Sequence, residues 1–452
     1  MTNSIFPLPL TVWEEFFVVD DHEHYPANFM VRIRCQGRIS NELFLTAVKK
    51  SQSLHPLFGC IIQKSGRQLL WVTEDSEALP VEFRVMAVGE PEFPLQEQFD
   101  VFKEKLWRLK IVGFSDSTGI QRTDIFLEIH HALCDGLGAT QFLSDVANAI
   151  HRLDGNLGIE INRETALTSL KNRGKFPQSW RELFKGFAHH YRSVWASVQL
   201  AFSKIEPLVP VSSVQKLLGT PKEKLGYRKI SLPSVVSAQL RRSCRLRNTT
   251  LNSVVAAELF RWIYQWKIDQ GHPVPQALRI MIPVNERTLQ DRGLSACNRV
   301  SVSPFTRSRR QIIDPAALLL SIEKGVRVLK KARLGLNFHR ALWVCKTLFG
   351  DLKPFAKTDR VGATCVLSNI GNINFYLGLP VEGNATRCGP FLIDDLDLVA
   401  PLRIGTSFAV TLHEFNSETR LGIHYDSAMI SEQQADDFFD HFSDRLTKLA
   451  DS

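Results

Sequence analysis

The sequence predicts an α/β protein built as two domains, on three observations. The chain has 452 residues, 44% hydrophobic and 23% charged, a globular composition long enough for two cores. Segments alternating apolar and polar residues, as strands do, are interleaved with segments whose apolar residues recur every three or four positions, as helices do. Between residues 155 and 225 the composition changes, first to a basic stretch and then to an aromatic one. These observations divide the chain into an N-terminal domain at 1–165, a crossover segment at 166–224 and a C-terminal domain at 225–452.

Residues 1 to 60 read as an extended start followed by a helix. Ser40 is a suitable N-cap, Leu43, Ala47 and Val48 supply its apolar stripe, and Pro56 ends it. The run Asp20-Asp21-His22-Glu23-His24 has a metal-binding composition, but it sits in a polar stretch before Pro26 and reads as a solvated loop. Leu69–Val72, Val81–Val85 and Trp107–Val112 read as strands that complete one α/β half together with the strand that follows them.

That strand runs from Ile125 and leads into His130-His131-Ala132-Leu133-Cys134-Asp135-Gly136-Leu137-Gly138. Beyond it, Phe142, Leu143, Val146, Ala149 and Ile150 recur at helical spacing. The stretch is a strand, a tight turn and a helix. If the strand continues through the pair, His130 shares a face with Phe126 and Glu128, and His131 shares the more apolar face with Ile125, Leu127 and Ile129. A partly desolvated imidazole titrating near neutrality suits a general base, and His131 is the candidate. Asp135 can orient the loop through an ion pair, or serve only as the N-cap of the following helix. Gly136 and Gly138 let the backbone bend and approach a ligand. Zinc held by His130, His131, Cys134 and Asp135 is disfavoured, because neighbouring strand residues diverge and no His-Glu-x-x-His or Cys-x-x-Cys is present.

In the second domain, Tyr227–Leu232 reads as a strand, a helix spans about Val235 to Arg245, and Val254, Val255, Leu259 and Trp262 mark a longer helix. Leu278–Val284 is a strand ending in Asn285-Glu286-Arg287, and Asn298-Arg299-Val300 opens another. Thr364–Leu367 runs into Ser368-Asn369-Ile370-Gly371, where a hydroxyl and an amide can donate to an oxyanion, or where the chain simply turns. Phe408–His413, Gly422–Tyr425 and a last helix with Phe438, Phe439, Phe442 and Leu446 close the chain.

The His-His-x-x-x-Asp-Gly element resembles the active-site motif of the chloramphenicol-acetyltransferase-like superfamily, which includes condensation domains, alcohol O-acetyltransferases and wax ester synthases. The Val-Asn-x-Arg of Val284–Arg287, with Asn298 beyond it, and the Ser-Asn-x-Gly of Ser368–Gly371 are similar to further elements of that superfamily. The Asp-Phe-Gly-Trp-Gly motif of its plant members is absent. The resemblance implies two α/β sandwich domains with an active-site tunnel between them. It implies acyl transfer from a thioester, with His131 as base, Asp135 in a structural role and Arg287 as its partner. It also implies that a strand of the 408–425 region crosses to complete the first domain's sheet. Transfer to a hydroxyl is the first expectation. Amide formation, or a non-catalytic module binding an acyl carrier or lipid, is the alternative.

Between Trp180 and Phe202, nine apolar side chains recur at steps of three and four, with Arg181, Lys185 and Arg192 on the other face. A crossover helix packed between the domains is the first reading, and an interfacial helix near lipid the second. If part of it borders the tunnel, medium or long acyl donors are favoured over acetyl. The net charge of +8 suits anionic partners such as the phosphates of coenzyme A, an acidic carrier protein or a lipid surface. Neither nucleic acid, a bound cofactor nor a metal is expected. Eight scattered cysteines and no signal-like start suggest reduced thiols in a cytoplasmic monomer, and no apolar run approaches the ~20 residues of a membrane span.

Overall fold

The computed structural model describes residues 5–155, 170–176, 205–209 and 225–450, apart from 75, 77, 87–88, 292, 354–355 and 357–361. The Trp180–Phe202 stripe lies outside the described residues. The chain opens with a two-residue strand, β1 (Leu8–Pro9), and then a helix, α1 (Val12–Asp20), where an extended start was expected. Its Trp, Phe and Val residues are weak helix formers, which hides it from propensity. It forms because Thr11 and Glu14 make a reciprocal capping box and because Trp13 and Phe16 are buried.

The first half continues with β2 (Asn28–Gln36), α2 (Asn41–Leu54), β3 (Cys60–Ser65), β4 (Gln68–Thr73), β5 (Val81–Val85), β6 (Trp107–Ser115), β7 (Gln121–His130) and α3 (Gly136–Leu153). Ser40 caps α2 as expected, accepting from the Leu43 amide. The second half has β8 (Gly226–Leu232), α4 (Ser234–Leu246), α5 (Leu251–Asp269), β9 (Ala277–Asn285), β10 (Val300–Ser308), α6 (Pro315–Ala332) and α7 (Leu336–Phe349). It ends with β11 (Cys365–Asn372), α8 (Ile373–Leu377), β12 (Val381–Glu382), β13 (Ala385–Cys388), β14 (Phe391–Val399), β15 (Phe408–Phe415), β16 (Glu418–Tyr425) and α9 (Glu432–Ala450).

The described strands form three sheets. A seven-stranded sheet has the order β12-β13-β14-β2-β7-β6-β5, and a six-stranded one the order β10-β9-β11-β15-β16-β8. The strand at Leu69–Val72 was expected in the first of these. It pairs instead with β1 and β3 in a small third sheet. The strand that crosses into the first sheet is β14, not part of the 408–425 hairpin. It pairs antiparallel with β2 from Leu392↔Gln36 to Val399↔Met30, while β15 and β16 stay in the second sheet.

Each large sheet is covered on one face by helices. Phe44 and Val48 of α2 and Phe142 and Val146 of α3 pack on Ile125, Leu127 and Ile129. Phe260, Leu318, Phe438 and Phe442 pack on Leu367, Val410, Leu412 and Ile423. Burying one such Leu or Phe contributes about 1.5–3 kcal/mol, so these two clusters dominate the stability of the halves.

The seam between the halves is more polar. Thr411 Oγ1 donates to the Leu398 carbonyl at 2.9 Å, and Asp395 and Asp397 of β14 pair with Arg32, Lys229 and, for Asp395, Arg420. At its far end α1 meets α7, with Trp13 edge-on to Phe338 at 5.5 Å and Glu15 paired with Lys346. Among the described residues no helix is long and apolar enough to cross a membrane, no group of His, Cys, Asp and Glu is placed to hold a metal, and all eight cysteines are buried and unpaired.

Candidate active site

Strand β7 ends at His130, so the two histidines differ in backbone setting: His130 closes the strand and His131 opens the turn. The alternation argument still assigns the faces. Phe29 is the cross-strand partner of Ile129, and the His131 ring packs against Phe29 at 5.1 Å. His131 therefore lies on the Ile129 side. Its ring is stacked on Phe17 of α1, with centroids 4.2 Å apart and planes 6° from parallel. His131 is half-buried, and its amide donates to the Ala27 carbonyl at 2.7 Å. Burial pushes the imidazole pKa down to about 4, against an opposing pull from Asp135, so the ring is neutral at pH 7 but titrates well below the neutrality expected of it.

His130 is fully buried on the other face. Its Nδ1 accepts from the Ala132 amide at 3.1 Å, and its Nε2 faces Asp21 Oδ1 at 3.7 Å. Asp21, read as part of a solvated loop, is thus turned inward, and it also accepts from the Ala27 amide and from Gln98. Two residues before His130 on the same face, Glu128 accepts from Asn28, and burial pushes its carboxyl up to about 7.

Asp135 is both the N-cap of α3 and one half of an ion pair. Its Oδ1 accepts from the Gly138 amide at 2.8 Å, and its two oxygens take a forked contact from Arg287 at 2.8 and 2.9 Å. The Arg299 amide donates to Oδ2 at 2.8 Å. Burial alone would raise this carboxyl; Arg287 and the two amides outweigh it and hold it below its ordinary value. Asn285 orients Arg287 by accepting from its amide at 3.0 Å.

Residues 297–299 of the second half close over the motif. The Cys297 carbonyl accepts from Arg287 at 3.0 Å, and Asn298 Nδ2 donates to the His131 and Ala132 carbonyls at 2.8 and 3.1 Å. The Arg299 guanidinium extends away to Asp291 and to the Arg173 and Lys175 carbonyls. Arg173 in turn is buried against Glu14 of α1 at 2.6 Å. This links the 170–176 segment to the helix that carries Phe17.

The glycines of the motif have a different reason from the one expected. Neither Gly136 nor Gly138 has a positive φ; both lie in the first turn of α3. A Cβ on Gly136 would sit 2.9 Å from Ile370 Cδ1, and one on Gly138 would sit 2.9 Å from Cys134 Cβ and 3.1 Å from the Cys297 carbonyl oxygen. The space is needed for packing between the halves. Gly138→Ala should therefore lower stability by about 1–3 kcal/mol, although alanine ordinarily stabilises a helix by ~1 kcal/mol over glycine. Chemical denaturation measures this, and an unchanged or raised midpoint would contradict it.

Ser368 and Asn369 lie on β11 just before a bulge between Asn369 and Gly371. Cys365 and Leu367 point into the second core, which leaves Val366 and Ser368 on the seam face. Ile370, which reaches Gly136, follows Ser368 by two residues. Asn369 is exposed, its Oδ1 accepts from the Gly371 amide at 2.8 Å, and its Nδ2 reaches Asn252 of α5 at 3.4 Å. Phe17, Phe29, Arg299 and the contacts of Asn298 were not predicted from the sequence. They come from segments distant in the chain that carry no motif of their own, and only the spacing of Asn298 from Arg287 gave a signal.

The fold of the chain is that of condensation domains and of an acetyltransferase built on the same two-lobed plan. The first condensation domain of the calcium-dependent antibiotic synthetase superposes with a TM-score of 0.67 at 13% identity, over 99% of this chain and 97% of that one. The trichothecene 15-O-acetyltransferase TRI3 of Fusarium sporotrichioides gives 0.66 at 12% identity, over 98% and 95%. The starter condensation domain of rhizomide synthetase RzmA, a mutant in complex with C8-CoA and Leu-SNAC, gives 0.66 at 12%, over 98% and 94%. Two curated proteins of Mycobacterium tuberculosis, uncharacterized protein Rv2305 (strain ATCC 25618 / H37Rv) and uncharacterized protein MT2362 (strain CDC 1551 / Oshkosh), are each 22% identical over 287 residues. That match covers 62% of this chain, and the chain spans 62% of the length of each of those relatives. No protein-family model matches the chain.

Proposed function

We propose that this chain is an acyltransferase that moves an acyl group from a thioester, on coenzyme A or an acyl carrier protein, to a hydroxyl acceptor. The observation that carries the reading is the setting of His131: a neutral, half-buried imidazole stacked on Phe17, beside an Asp135 whose oxygens are all committed to Arg287 and backbone amides. The carboxylate is thereby spent on architecture, and the imidazole is left as the proton acceptor. His131 takes the proton from the acceptor hydroxyl as its oxygen attacks the thioester carbonyl. The tetrahedral oxyanion then collapses, the C–S bond breaks, and the imidazolium returns the proton to the departing thiolate. The scheme uses no metal and no bound cofactor.

Ser368 is the better oxyanion donor of its pair, because it lies on the seam face while Asn369 is turned toward α5. Ser368→Ala should lower kcat by about 10²–10³-fold, and Asn369→Ala should change it little. The reverse order would invert the assignment. Amide formation is the second reading, favoured by the condensation domains among the structural neighbours, one of them bound to C8-CoA and Leu-SNAC.

The direct test is thiol release from acyl-CoA donors of graded length and from an acyl-loaded carrier protein, with alcohol and amine acceptors. Release that needs an alcohol and ends with His131→Ala supports the proposal. Release that needs an amine selects the second reading, and no release from any pair points to a non-catalytic binding module.

A further inference from the structure

The 294–299 segment of the second half brings Asn298 and Arg299 to the turn that carries His131, and one of its anchors has no part in the proposed chemistry. Gln141 of α3 donates to the Leu294 carbonyl at 2.6 Å, and the Ala296 amide donates to His55 Nδ1 at 2.9 Å. His55 stands 241 positions before Ala296, directly after α2. Its own amide donates to the Gln52 carbonyl, and Pro56 keeps its backbone from continuing the helix. The ring is fully buried, edge-on to Phe142 at 5.6 Å and tilted against Phe58 at 5.9 Å. Its Nε2 lies 2.8 Å from Asp145 Oδ2. Phe142 and Asp145 are three positions apart on α3 and so share a face. A backbone amide can only donate, so Nδ1 accepts from Ala296 and carries no proton. The ring's proton is therefore on Nε2, where the Asp145 carboxylate accepts it.

We infer that His55 is a positioning residue: it seats the 294–299 segment on the first half, and through that segment it sets Asn298 and Arg299 against the His131 turn. It acts only through its neighbours. Asp145 holds one ring nitrogen, which keeps the other aimed at the Ala296 amide. Two residues further on, Asn298 donates to the His131 and Ala132 carbonyls, and the Arg299 amide donates to Asp135. The space there is tight, since a Cβ on Gly138 would already lie 3.1 Å from the Cys297 carbonyl oxygen. A segment released at Ala296 therefore cannot shift toward α3, and a shift away lengthens the Asn298 and Arg299 hydrogen bonds. The ring thus joins the end of α2, the face of α3 and a segment of the other half at one buried point. The effect on turnover rests on the proposal that His131 is the base; the seating of the segment does not.

The test separates the two ring nitrogens with two amide substitutions. In His55→Asn the amide oxygen can stand where Nδ1 stands and accept from Ala296. In His55→Gln the longer amide reaches the place of Nε2 and serves Asp145 instead. Two quantities are read: hydrogen–deuterium exchange at the Ala296 amide, and kcat per folded molecule for thiol release. His55→Asn should keep Ala296 protected and kcat within about threefold of wild type. His55→Gln should speed the exchange and lower kcat roughly 10–100-fold with the donor KM within about threefold, the size of loss expected when a distant change misplaces reacting groups by a fraction of an ångström to one ångström. Equal losses of kcat in two folded variants overturn the inference, as does a His55→Gln protein with wild-type exchange and turnover. Should neither variant fold, the wild-type protein decides: its Ala296 amide should be protected, and exchange at the rate of an open loop overturns the inference. Absence of thiol release from wild type, with the exchange as expected, would instead sink the proposed function and leave the seating of the segment standing.

Discussion

His131→Ala is expected to lower turnover by about 10²–10⁴-fold, the contribution of a positioned general base, while the protein still folds. The ring is half-buried and stacks on Phe17 and Phe29, so its loss leaves a modest gap rather than an unpaired charge. His130→Ala should behave oppositely. Its ring is fully buried and accepts from the Ala132 amide, so stability suffers before chemistry does. Thermal melts and kcat per folded molecule separate the two, and equal losses of rate in two well-folded variants would defeat the face assignment. The pH dependence follows from the same ring. Its folded pKa of about 4 lies below the unfolded 6.5, so the base is already free above about pH 4, and the acid limb of kcat/KM should fall there rather than near 6.5. In stability the sign is the same. The unfolded chain takes up this proton as the pH drops from 6.5 while the folded protein does not, so the ring withdraws stability through that window until the folded pKa is reached.

Asp135→Ala is expected to cost about 3–5 kcal/mol, because it leaves the Arg287 guanidinium buried without its counter-charge. Arg287→Ala should cost a similar amount, and the double variant less than the sum of the two. Arg287→Lys should not rescue, since one ammonium cannot reproduce the forked contact at 2.8 and 2.9 Å. Asp135 is held below its ordinary pKa of 3.8, so its stabilisation is complete above that value and is lost as the pH falls through the lowered one. Denaturant titrations of the four proteins at pH 7 and in acid measure both effects. Full additivity at pH 7 would mean that the two residues do not depend on each other.

The residues that could be read from the sequence are those whose spacing encodes a local constraint. The His-His-x-x-x-Asp-Gly run is a strand end, an N-cap and a helix start, and each part is visible as periodicity or capping. Arg287 was reachable only through resemblance, since nothing in its own surroundings says that it meets a carboxylate 152 positions earlier. Helix α1 was missed because its aromatic and branched residues favour strand locally, and only burial against α7 and a capping box reverse that preference. With α1 went Phe17, the residue in closest ring contact with His131. The small sheet of β1, β3 and β4 was misplaced for a related reason. Alternation identifies a strand, but its partner is chosen by loop geometry and by edges that periodicity does not encode. The same limit explains why β14, and not the later hairpin, proved to be the crossing strand.

The place of β14 in the first sheet has a consequence for how the chain is made. Strand β2 needs two neighbours, β7 and β14, and one of them lies more than 350 residues downstream in sequence. A ribosome releasing this chain therefore exposes an N-terminal half with helices α2 and α3 in place but one edge of β2 unpaired, ready to pair with any passing strand. At about 5–20 residues per second, that edge stays open for tens of seconds. During that interval Arg32 and Arg34, which stand on β2, are the charges available to discourage wrong partners. The histidines come early, but the segments that complete their surroundings, from Arg287 to Ser368, come late. A nascent chain thus carries the His-His-x-x-x-Asp-Gly motif long before the residues that surround it in the folded protein have been made.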